Sequence, residues 1–138
     1  MPILDWRAYA LGSAFFASLT AILGKVGVSG LPSNLATLVR TVVILLFALA
    51  LVTARNEWRP LENRATLFLV LSGLATGASW LCYYRALQLG PASRVAPIDK
   101  LSVALTIVLA ALFLGEALTW KTALGGFLVV AGSLVLAF

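Results

Sequence analysis

The stretch Leu35–Ala54, LATLVRTVVILLFALALVTA, carries a single charge, Arg40, in twenty residues. An α-helix rises about 1.5 Å per residue, so a run of this length reaches about 30 Å, the thickness of a bilayer's hydrocarbon core. The same pattern repeats outward along the chain. Ala8–Gly24, Ala65–Tyr84 and Thr122–Phe138 are uncharged, and Val95–Gly115 is interrupted only by Asp99 and Lys100. Buried strands of an α/β protein would be much shorter and would alternate with amphipathic helices, and a transmembrane barrel would alternate in polarity. Neither pattern is present. The sequence predicts an all-α integral membrane protein, a five-helix transmembrane bundle with helices at about 8–28, 35–54, 65–87, 95–114 and 121–138. Together they form one transmembrane domain over residues 1–138.

Composition agrees with that reading and removes several function classes. Of 138 residues, 62% are hydrophobic and 11% charged, whereas a soluble domain carries about 25% charged residues. There is no histidine and only one cysteine, Cys82. Disulfides within the chain, His-based metal sites and Ser-His or Cys-His nucleophile pairs are therefore excluded, and no cofactor, metal or enzymatic activity is expected. No GxxxxGK[ST] or GxGxxG phosphate loop occurs. The net charge of +5 is dispersed over helix ends, which fits membrane orientation and not the tracking of nucleic acid. Met1–Arg7 lacks a net positive leader, so the first apolar block is expected to be a retained helix.

Five spans place the termini on opposite faces. Arg7, Arg55, Arg59, Arg64 and Lys121 then lie on the N-terminal side, facing Lys25, Arg85 and Arg94 on the other. Arg40 and Lys100 sit a turn or more inside. Positive residues favour the cytoplasm, so orientation is only slightly biased toward an internal N-terminus. Trp6, Trp58 and Trp120 share the N-terminal side, as an interfacial aromatic belt requires.

Charges within a membrane cost about 2.5–3.5 kcal/mol each on insertion scales and mark functional sites by default. Arg40 and Asp99 fall early in helices that start on the same side, and the pair is expected to interact within the bundle. Lys25 and Lys100 join them in a cluster of net positive charge, followed by Trp80, Tyr83, Tyr84 and Gln88 toward the end of the third helix. Tyrosine and tryptophan suit a ligand pocket or a bilayer interface, so Lys25, Trp80 and Arg85 read as pocket residues or as anchors. Glu116 lies at a helix C-terminus, where the dipole disfavours it, and Lys121 is its expected partner. Pro97 is expected in the first turn of the fourth helix. Gly73 and Gly77 form a GxxxG expected to pack within the bundle, and Gly125, Gly126 and Gly132 line the fifth helix as a candidate contact between subunits.

The runs Tyr84-Arg-Ala-Leu, Pro91-Ala-Ser-Arg-Val-Ala-Pro-Ile, Leu112-Phe-Leu-Gly-Glu116 and Gly125-Gly-Phe-Leu-Val-Val-Ala-Gly132 resemble the EamA domain of the drug/metabolite transporter superfamily. The likeness covers essentially the whole chain, including Lys25 after a small-residue helix and Arg40 early in the second. It departs near Val103, where relatives often have a proline, so the fourth helix is expected to differ in geometry. Unlike the related small multidrug resistance proteins, the first helix has no acid, which disfavours export of lipophilic cations.

Most relatives carry two such domains as inverted repeats. The resemblance therefore implies a secondary transporter that works as a dimer, antiparallel in the sense that two copies insert oppositely, in the bacterial inner membrane. Its expected partners are the lipid bilayer and a small-molecule substrate carrying a carboxylate or other anionic group, such as an amino acid. Arg40 and Lys100 would hold the anion, Asp99 would orient Arg40 or an amine, and the tyrosines would line the cavity. A subunit of a lipid-linked sugar flippase and a non-transporting membrane scaffold are the alternatives.

Overall fold

The computed structural model describes residues 5–138; residues 1–4 lie outside it. All regular structure among the described residues is helical: α1 (Trp6–Gly27), α2 (Ser33–Ala54), α3 (Asn63–Leu89), α4 (Ala92–Asp99), α5 (Leu101–Leu109), a short π-helical turn (Ala110–Leu114) and α6 (Trp120–Ala137). Because α4, α5 and the π turn run on as Ala92–Leu114, five segments are long and apolar enough to cross a membrane. Spanning helices are the form in which backbone groups can satisfy one another without water. Side-chain hydroxyls follow the same logic. Thr41, Thr76 and Thr106 each donate to the carbonyl four residues back, at 2.8 Å.

Helix ends are closed by local chemistry. Beyond α2, Asn56 adopts a left-handed conformation at φ 53°. Its N–H donates to the Thr53 carbonyl at 3.2 Å, and the Glu57 N–H donates to Val52 at 3.0 Å. This is the Schellman arrangement, which satisfies carbonyls that the helix leaves open. Asparagine tolerates the left-handed region better than other non-glycine residues, whereas a β-branched residue there costs about 1–2 kcal/mol. Asn56→Gly is therefore expected to melt at or above the parent temperature in detergent, and Asn56→Val several degrees below it. The Thr119 side chain caps α6, accepting from the Thr122 N–H at 3.2 Å.

The fourth span differs from the sequence expectation. It begins at Ala92, after Pro91 in extended geometry, so Pro97 is the sixth residue of α4 and lies inside it. A proline there removes one helical donor and crowds the carbonyl four residues back. The Lys100 N–H donates to the Pro97 carbonyl and the Val103 N–H to that of Lys100, both at 3.0 Å. These tight i→i+3 bonds mark the break between α4 and α5. Where the span ends, Gly115 turns left-handed at φ 69°.

The chain divides into two compact units. Among the described residues, one comprises residues 5–22 and 89–138, the other residues 23–88. In the first, α6 packs against α4 and α5, burying Gly126, Ser133 and Ala137. A Cβ on Gly126 would come within 3.2 Å of Ile107 Cδ1. In the second, Val28 and Leu87 are the largest fully buried side chains, with Thr37 and Tyr84 also buried. Gly24 allows this packing, because a Cβ there would lie 3.3 Å from the Tyr84 hydroxyl.

Candidate functional site

Within the unit of residues 23–88, the end of α1, the start of α2 and the end of α3 come together. Arg40 is the eighth residue of α2, about 10 Å along the helix from its start at 1.5 Å per residue. Trp80 is nine residues before the end of α3, at a comparable depth. The Arg40 guanidinium lies over the Trp80 ring, its Cζ 3.2 Å from the ring centroid. The indole is in turn edge-on to Tyr83, with centroids 5.3 Å apart and planes at 76°, and tilted against Tyr84 at 5.7 Å.

A guanidinium stacked on indole gains about 2 kcal/mol where water is displaced. That stabilises a cation within the span. The only acids of this unit, Glu57 and Glu62, lie in the α2–α3 connection, at the opposite ends of both helices. A guanidinium laid on a ring by its flat face keeps its edge free. Its N–H donors lie at the edge, in a fork that matches a carboxylate. The arrangement can therefore hold a planar oxyanion beside an aromatic wall.

Lys25 has a different employment. Its ammonium donates to the Leu87 carbonyl, near the C-terminal end of α3, where a cation also meets the negative end of the helix dipole. The Gln88 amide donates to the Val28 and Leu31 carbonyls and accepts from Arg85 Nη1 at 3.0 Å. Gln88 thus joins α3 to the α1–α2 connection, a role that a sequence reading naming only its neighbourhood did not reach.

Asp99 and Lys100 belong to the other unit, where they pair with each other at 3.2 Å at the break between α4 and α5. Arg40 is stacked on Trp80 in its own unit, so each of the two charges expected to pair has a local partner. The expected Glu116–Lys121 pair does not form. Among the described residues the ion pairs are Arg7–Asp5 at 3.9 Å and Lys100–Asp99. The left-handed turn at Gly115 and the Thr119 cap direct this loop, and Glu116 instead borders a shallow cleft with Ile107, Ala111, Leu118 and Thr122.

The candidate contact glycines separate into two kinds. Gly126 faces Ile107 within its own unit, whereas a Cβ on Gly125 or Gly132 would meet nothing within 4 Å. Helix geometry explains the division: positions seven apart fall about 20° from alignment, and positions six apart about 120°. The Gly73–Gly77 pair of α3 was expected to pack within the bundle, yet a Cβ on either meets nothing within 4 Å. No helix of its own unit lies against that face closely enough to need a glycine.

Residues 6–138 match the model of the EamA-like transporter family. The chain belongs to that family. It is also 54% identical over 136 residues to a Sinorhizobium protein described as an uncharacterized transporter in the cobO 3' region, covering 96% of each chain. No solved structure matches it. As an EamA-like protein with five apolar spans, the chain is a multi-pass membrane protein of a transporter family. The resemblance drawn from the Tyr84, Pro91, Leu112–Glu116 and Gly125–Gly132 runs therefore identified the right family.

Proposed function

We propose that this EamA-like protein is a secondary transporter of small metabolites bearing a carboxylate, working by alternating access as a homodimer in the bacterial inner membrane. The observation that carries the proposal is Arg40: an intramembrane guanidinium held on Trp80, in a unit whose acids lie at the far ends of its helices. Substrate oxygens supply the counter-charge, and Trp80, Tyr83 and Tyr84 supply the wall beside it. Asp99 and Lys100 form a separate candidate contact at the helix break, where interrupted transmembrane helices serve ligands in other transporters.

The dimer completes the inverted arrangement implied by the family likeness. The exposed face of α6 at Gly125 and Gly132 is its candidate contact, and near-equal basic residues on the two faces permit insertion both ways. A fused topology reporter should therefore find the C-terminus on both faces. A C-terminus on one face alone, in a protein that still transports, would replace the antiparallel dimer with a parallel one or an unlike partner.

Substrate class is tested by counterflow in proteoliposomes. The panel contains amino acids, other small carboxylates, the corresponding amides, and amines without an acid group. Exchange confined to the acids supports the proposal. Exchange of amides and amines at equal rates contradicts it.

A further inference from the structure

We infer that Gln88 is the latch of a gate at the membrane face shared by the end of α1, the start of α2 and the end of α3. The inference rests on the alternating-access reading above, because only a protein that opens by turns needs a contact that can be released. The Gln88 amide bonds two carbonyls of the α1–α2 connection, Val28 and Leu31, while its oxygen accepts from Arg85. One neutral side chain thus spans the seam between two segments. Beneath it Val28 and Leu87 are fully buried against the same seam, and the Lys25 ammonium meets the Leu87 carbonyl.

The construction suits closure that can be undone. The connection is short, from Val28 to Pro32, with Gly30 at φ 79°, a conformation that glycine adopts without strain. Hydrogen bonds among neutral and singly charged groups contribute about 0.5–3 kcal/mol each. At a membrane face, water replaces them when they break. No acid–base pair has to be desolvated on closing. Gln88 is eight residues, about 12 Å, beyond Trp80 along α3, so the latch lies between the Arg40–Trp80 pair and the nearer end of the helix. Thr37, one turn from Arg40 along α2, is buried in this structure, and the gate is taken to control its access to water.

The test reads access without a transported substrate. In a Cys82→Ser background, Thr37→Cys is labelled in membranes with a membrane-impermeant maleimide. Gln88→Leu is expected to raise the labelling rate by about tenfold, equivalent to about 1.4 kcal/mol. In a second protein, cysteines replace Leu31 and Gln88 and are bridged by a short reducible thiol crosslinker before Thr37→Cys is probed. Bridging should suppress labelling below the parent rate, and reduction should restore it. The latch is overturned if a folded Gln88→Leu labels at the parent rate, or if bridging leaves labelling at the parent rate, which would make the seam a fixed pivot. If Gln88→Leu does not fold, Gln88→Glu, which keeps the length of the side chain but loses its N–H donors, takes its place, and the crosslinking arm tests separately that the seam opens. Neither readout depends on whether carboxylates are the substrate, so failure of the substrate assignment in counterflow remains distinguishable from failure of the gate.

Discussion

Arg40→Lys is expected to lose carboxylate uptake nearly as completely as Arg40→Ala, each falling at least tenfold and as far as about a hundredfold. A charge-assisted hydrogen bond contributes about 1.5–3 kcal/mol, and each 1.4 kcal/mol is a factor of ten. Lysine keeps the charge but loses both features that the geometry uses. Its ammonium has no planar face to lay over the Trp80 ring, where the Arg40 Cζ sits 3.2 Å from the centroid, and it offers a point charge where arginine offers a planar fork. Trp80→Leu should weaken uptake less, because the fork survives without its platform. Both variants must reach the membrane and elute like the parent. If Arg40→Lys transports at the parent rate, charge alone matters, and the stacked guanidinium is a structural anchor.

The second large effect concerns the glycines of α6, where neighbouring positions are expected to behave differently. Gly126→Leu should damage the protomer itself. Even a Cβ at that position comes within 3.2 Å of Ile107, and overpacking costs typically about 1–3 kcal/mol. Gly132→Leu should leave the protomer's melting temperature within a degree or two, since nothing lies within 4 Å of its added Cβ. It should nevertheless abolish the dimer in mild detergent, and transport with it. Thermal melting with light scattering separates the two outcomes. A dimer unaffected by Gly132→Leu moves the subunit contact elsewhere, with the open Gly73–Gly77 face of α3 the next candidate.

Much of this architecture is legible from residue type alone, because lipid imposes a simple length and polarity rule on each span. Arg40 also stands out, since a charge inside an apolar run is conspicuous. Its platform is harder to see. Trp80 lies forty positions away, and nothing in a sequence states which faces of α2 and α3 meet. The targets of Lys25 and Gln88 are backbone carbonyls, which every residue carries and no residue type announces. Other differences had a usable signal. Helical angles separate Gly126 from Gly125 and Gly132, and Pro91 marks a helix start that puts Pro97 inside α4. The exposed Glu116 shows why sequence proximity to Lys121 is a poor guide: a left-handed turn and a threonine cap fix the loop without an ion pair.

Transport as proposed depends on recognition of the substrate's carboxylate by Arg40. Its most direct test compares a transported acid with its own amide in counterflow, in the parent and in Arg40→Ala. The parent should prefer the acid by about ten- to a hundredfold, and the variant should treat the two nearly alike, because the group that distinguishes them is gone. An undiminished preference for the acid in Arg40→Ala would contradict the claim and assign recognition to another cation.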